Sequence, residues 1–284
     1  MWAIIVVLLI GIADTVQLHI AKSMQRQGIE IFDQIRAKIK KEHLEIEGKV
    51  KKPVIYVVGL VLNNVEPAWL IVANLFGESP ALVTSMFGIG LVVLMFYSVK
   101  VLHEPVNRRE ATGATVIIGG TLVLGVEAFF RPEYNEAAIS TGASYLFLAT
   151  FAAAAATIMV IASRTRNART MGFAFGIAAG GFGGQDIIFK MLGQNDMDSI
   201  VGWLVFASSF AIAFLAFFFT QLGFARKAPA SVLVPAYDAT YVLVPILFQA
   251  LLLPGFQIWP STVLGAATIV AGIALMRGLT KKEK

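Results

Sequence analysis

No cysteine occurs anywhere in the 284 residues, which excludes a disulfide framework, a thiolate metal site and a cysteine nucleophile. Charge is also scarce. Asp, Glu, Lys and Arg make up 14% of the chain, far too little to cover the surface of a soluble domain of this length. Only three histidines exist, His19, His43 and His103, with the second in a loop and the third at a turn. There is no H-E-x-x-H, no G-x-S-x-G and no G-x4-G-K-[ST], so the chain reads as neither an enzyme nor an ATP-driven pump.

Apolar residues are what fill the chain: 57% of it, with a mean hydropathy of +0.75. They run continuously rather than alternating, which argues against a closed strand barrel and for helices, each needing roughly 20 mostly apolar residues to cross a bilayer. Nine spans are expected, near 2–22, 53–76, 79–101, 109–129, 141–163, 170–192, 198–221, 229–252 and 257–277. The first is the least regular, because its apolar run stops at Asp14. A cleaved signal peptide is the alternative there, although no basic segment precedes the run and no clear A-x-A site follows.

The net charge of +5 would suit nucleic acid, but its placement says otherwise. Of the 23 Lys and Arg residues, only Arg131 and Lys190 fall on one side of the expected spans. All the others fall on the opposite side: between Lys22 and Lys52, at Lys100, Arg108 and Arg109, at Arg164, Arg166 and Arg169, at Arg226 and Lys227, and from Arg277 onward. Such alternation is the positive-inside bias, and it predicts an N-terminus outside and a C-terminus in the cytoplasm of a plasma (inner) membrane. The expected partners are the lipid bilayer and a small solute or cation, with no nucleic acid; the chain could assemble as a homodimer. Trp2, Trp203 and Trp259 open three of the spans that begin outside, as an aromatic belt would. In the loop 23–52, Ile31, Ile35 and Ile39 repeat every four residues among charges, a pattern for an amphipathic helix lying on the cytoplasmic interface or docking a partner.

The two halves match in chain order. Gln17 and Lys22 in span one parallel Gln185 and Lys190 in span six. Ser79-Pro80-Ala81 parallels Ala228-Pro229-Ala230, and Leu102-His103-Glu104-Pro105 parallels Leu251-Leu252-Leu253-Pro254. Gly113 and Gly120 in span four parallel Gly265 and Gly272 in span nine at equal separation. The alternative is chance similarity among apolar segments. Taken as a repeat, the expected fold is an all-α integral membrane bundle of 4+1+4 helices. Its parts are a first repeat over 1–130, a connecting span at 141–163 and a second repeat over 170–284, inverted by the offset of five spans. Inverted repeats of this kind place their site near the midplane between halves.

Polar groups inside a span are costly and therefore site candidates. Asn63, Asn64 and Glu66 stand together in span two, and Pro67 cannot donate to the carbonyl of Asn63. The set offers oxygen ligands to a cation, with Glu66 and Asn63 the metal ligands should the cargo be divalent; a self-satisfied kink is the alternative. Asp238 lies between Tyr237 and Tyr241 in span eight, bracketed by Pro235 and Pro245. Span six carries Gly172, Gly176, Gly180 and Gly184 on one face, suited to close helix packing, and ends at Gln185-Asp186. Asp14 and Gln17 are the counterparts in span one. His19 is expected as a hydrogen-bonded interfacial residue, Lys22 and Lys190 as residues snorkelling to opposite surfaces, and Glu104 as a capping or loop-pairing acid. Four acids in the membrane interior call for neutralisation by cations or by protons.

The stretch SPALVTSMFGIGLVVLMFYSVKVLHEPVNRREATGATVIIGGTLVLGV, residues 79–126, resembles the drug/metabolite transporter superfamily: a Pro-containing helix start, a helix ending in Glu, a short basic turn, then a Gly-containing helix. IAKSMQRQGIE, after the first span, is similar to the segment following the first helix of NIPA-like members, while other features are EamA-like. The second half departs from the pattern, with Pro254 and Gly255 where an acidic turn might stand. The resemblance implies a secondary transporter working by alternating access on a small polar or cationic solute, or, in its NIPA-like branch, a magnesium transporter. No resident cofactor is expected; Mg²⁺ or H⁺ enters only as substrate or coupling ion.

Overall fold

A computed structural model describes residues 2–29, 51–65, 68–69, 72, 86–132, 134, 138–165 and 167–277. Among them the structure is all helical, with nine helices. These are α1 (Trp2–Gly28), α2 (Lys51–Val65), α3 (Phe87–Lys100), α4 (Arg108–Phe130), α5 (Thr141–Arg164), α6 (Ala168–Gln194), α7 (Ile200–Ala225), α8 (Ala230–Leu252) and α9 (Pro260–Arg277). Five of them, α1, α4, α5, α7 and α8, are long and apolar enough to cross a membrane, and α2, α3 and α9 contain shorter apolar helices. The glycine-rich α6 falls outside both groups, because glycines dilute its hydropathy; it is also the most enclosed helix, with seventeen buried residues.

The helix ends have local causes. Asn107 accepts from the amide of Glu110 while the Glu110 carboxylate accepts from the amide of Asn107, a reciprocal cap that starts α4. Ser140, Asn167 and Ser199 cap α5, α6 and α7 with side-chain oxygens. Helix α1 runs to Gly28, so Ser23 to Gly28 are helix where a loop was expected from residue 23. The expected amphipathic repeat of Ile31, Ile35 and Ile39 lies outside the described residues, as do Glu66, Pro67 and the Ser79-Pro80-Ala81 start of span three.

Packing follows a pattern that recurs along the chain. The first helix, α1, packs on α2 and α3; the sixth, α6, packs on α7 and α8. Helix α3 touches α8, α4 lies along α9, and α5 covers α6 from the outside. The α4–α9 contact is reciprocal at glycine. A Cβ on Gly113 would stand 2.6 Å from Gly272 O, and one on Gly272 2.7 Å from Gly113 O. Likewise a Cβ on Gly120 would meet Gly265 O at 2.8 Å, and one on Gly265 would meet Gly120 O at 3.1 Å. Two backbones approach this closely only where neither carries a side chain. The main core draws on both ends of the chain, with Leu91, Leu94, Ile117, Phe224, Leu233 and Ile269 all enclosed.

Large apolar side chains also cover the outside. Phe96 is 66% exposed, Phe130 67%, Leu146 68% and Phe214 63%. An apolar surface of this extent is unstable in water and matches a hydrocarbon surrounding.

Candidate functional site

Helix α8 carries the centre of the site. Its prolines, Pro235 and Pro245, remove two backbone donors and loosen the ladder on either side of Asp238. One flank of α8 lies against the glycine face of α6. A Cβ on Gly176 would stand 2.8 Å from Ala236 Cβ, one on Gly184 would stand 2.8 Å from Tyr241 O, and one on Gly180 would overlap Tyr237 O outright. The four glycines of span six therefore serve close packing, and the backbone they hold is the one that carries Asp238.

The other flank of α8 faces α1, and here the contact is polar. His19 Nε2 lies 2.6 Å from Asp238 Oδ2, with His19 fully buried and Asp238 1% exposed. Lys22 Nζ stands 3.8 Å from Asp238 Oδ1 and 3.2 Å above the centre of the Tyr237 ring, so the ammonium has both a carboxylate and a π-face. The other imidazole nitrogen, His19 Nδ1, donates to Thr15 O at 2.6 Å, while the Thr15 hydroxyl donates to Phe87 O on α3. Phe87 stacks on Tyr241 at 5.0 Å, and Tyr241 stacks on Tyr237 at 5.7 Å. The cluster is thus closed in by three rings, and α3 comes close at Gly90, where a Cβ would collide with His19.

Two expectations change. Lys22 does not snorkel to a surface; it is 3% exposed and turned inward, because Asp238 and Tyr237 offer it more than the interface does. His19 is not interfacial but a buried partner of Asp238. The missed signal is a spacing: Thr15, His19, Lys22 and Arg26 follow one another by four, three and four residues, a polar stripe on one helix face.

Below this cluster the end of α1 is tied to almost every neighbour. Gln25 Nε2 donates to Gly59 O on α2, and Gln221 Nε2 on α7 donates to Gln25 Oε1 at 2.6 Å. Tyr56 OH donates in turn to Gln221 Oε1, and Tyr97 OH on α3 donates to Gln27 Oε1. Arg26 Nε donates to Ala228 O and lies 3.4 Å from Glu104 Oε1. The two Glu104 oxygens accept from the Ala230 and Ser231 amides, the first free donors of α8. Glu104 is therefore a capping acid, as its position suggested, though the helix it caps comes 126 residues later. The left-handed backbone of His103, at φ 53°, sets the turn that presents it.

The remaining candidates lie elsewhere. Asp14 is buried on α1. Gln17 is half-buried, donating to Leu62 O and accepting from Trp69 Nε1, on the side facing α2. Asn63 is half-buried, whereas Asn64 is exposed and donates back to Leu60 O within its own helix. Glu66 lies outside the described residues. Gln185 is fully buried and donates to Gly181 O; Asp186 pairs with Lys190 one turn on at 2.8 Å. Among the described residues no group of three or more His, Asp or Glu could hold a metal ion.

A separate groove of about 460 Å³ opens between α4 and the start of α9, lined by Leu122, Val126, Phe130 and Trp259 with Glu127 at its side. The Glu127 carboxylate is held by Arg131 and Thr262. Comparison of the chain with family models, with curated proteins and with solved structures finds no match.

Proposed function

We propose that this chain is an integral membrane secondary transporter of nine spans, arranged as two inverted sets of four around α5, that moves a small polar or cationic solute by alternating access. The observation that carries the reading is the His19–Asp238–Lys22 group, which is buried yet built from α1 of one set and α8 of the other. A buried ionisable cluster adds little to stability compared with apolar packing, so its place between the sets is better explained by use than by support.

Three further features support the arrangement. The apolar exterior suits a bilayer. The neighbour pattern of α1 with α2 and α3 recurs as α6 with α7 and α8. The α4–α9 contact has the form a two-fold relation requires: if Gly113 corresponds to Gly265 and Gly120 to Gly272, contact of Gly113 with Gly272 entails contact of Gly120 with Gly265, and both occur. A divalent ion at Asp238 would sit beside the Lys22 ammonium, which favours a solute over Mg²⁺ at that carboxylate.

The test is uptake. A thermal-shift panel of amines, metabolites and divalent cations on the purified protein selects a cargo, which is then followed into proteoliposomes. Asp238→Asn is expected to abolish uptake while leaving the melting midpoint within a few degrees. Wild-type uptake rates in this variant would remove the site assignment.

A further inference from the structure

Hydrogen-bond geometry fixes how many protons the His19–Asp238 pair holds. Thr15 O can only accept, so at 2.6 Å His19 Nδ1 carries a hydrogen. The Thr15 hydroxyl spends its own hydrogen on Phe87 O, so Oγ1, 3.3 Å from Nδ1, is an acceptor there too. Nε2 and Asp238 Oδ2 at 2.6 Å then need one more proton between them. It can reside on the imidazole, giving imidazolium and carboxylate, or on the carboxyl, giving neutral imidazole and acid. Without it a nitrogen lone pair would point at a carboxylate oxygen, and the two would repel.

We infer that this pair is a proton-binding site that latches α1 to α8, and that loss of the proton separates the two helices. The inference rests on the transport reading above and names its coupling ion. The step balances simply: the proton leaves to water as hydronium, and the pair passes from net zero to one negative charge. Among the described residues, the charged and titratable groups facing the pair are Lys22 on α1 and Tyr237 and Tyr241 on α8. Asp14, also buried on α1, lies five residues away towards the outer end. Helix α3 presents Phe87 and Gly90, and α6 presents Gly180 and Gly183, none of which titrates. As α1 withdraws it carries Lys22 with it, and the Asp238 carboxylate is left to water or a solute entering the parted seam. The latch is therefore closed at low pH and released as pH rises.

The absence of cysteine makes a direct test clean. With His43→Gln and His103→Gln, ¹⁵N-histidine labelling reports His19 alone, and spin labels at L9C and L251C, both on exposed positions, report the distance between α1 and α8. A second pair, Q194C with L251C, reports α6 against α8. As pH is raised over the range in which the protein stays folded, His19 is expected to lose the Nε2 proton while Nδ1 stays protonated. The first distance is expected to grow in the same range, and the second to stay fixed. Asp238→Asn and His19→Gln each keep a donor–acceptor contact without the shared proton, and each is expected to remove the pH dependence.

A His19 that keeps or lacks the Nε2 proton throughout, or an α1–α8 distance that does not follow it, overturns the latch. So does a distance change that survives in both variants. A pH-driven change without uptake of any solute keeps the latch and sinks the transport reading. Asp238-dependent uptake that is flat with pH, with fixed distances, sinks the latch and keeps the transport reading.

Discussion

Helix α8 is gripped from two sides by helices of opposite character. On one side α6 offers Gly176, Gly180 and Gly184, and the backbones close to within van der Waals distance. On the other, α1 offers His19 and Lys22, and the contact is made of protons and charges. The first kind of contact has no alternative partner, because opening it would leave unfilled space along two backbones. The second can exchange its partners for water or for a solute at modest cost. The comparison suggests that α8 stays with α6 and parts from α1, which assigns rigidity to apolar packing and motion to the polar seam.

That contrast can be broken at several points. The largest loss of stability is expected from Gly180→Val, which drives a side chain into Tyr237 O. Overpacking of this kind costs about 3 kcal/mol, and the melting midpoint in detergent or the monodisperse yield reads it. Next come Gly113→Ala and Gly272→Ala on the α4–α9 seam, each expected to cost about 1–2 kcal/mol. Similar costs at the two sites sharpen the reciprocal relation, whereas a loss at one alone argues against it. Glu104→Ala removes the carboxylate from the first amides of α8 and from Arg26, for about 1 kcal/mol.

The smallest effect on stability is expected from replacing the whole polar group, His19→Leu with Lys22→Met and Asp238→Leu, because apolar substitutes for a buried charged group are often neutral or better. Uptake should vanish in that variant. A folded triple variant that still transports would dissolve the distinction between the two sides of α8.

Much of this fold can be seen in the residues alone, because apolar runs and basic turns are local properties. Each of the nine described helices overlaps one expected span, and the paired glycines of spans four and nine were visible as equal separations. The acid at position 238 and its flanking tyrosines stood out because a charge inside an apolar run is conspicuous. His19 and Lys22 did not, since each sits near the end of an expected span where a surface was expected, and it is the packing of α1 against α3 and α8 that encloses them. The reach of Glu104 to α8 was equally hidden, for no local pattern tells a capping acid which distant helix it will cap.

The most direct measurement of the central claim is side-dependent access to the aromatic-lined cluster. In a chain without cysteine, Tyr241→Cys in oriented proteoliposomes can be challenged with a membrane-impermeant maleimide from either side. Alternating access at this cluster predicts labelling from both sides. Labelling from one side only, or from neither, would contradict it.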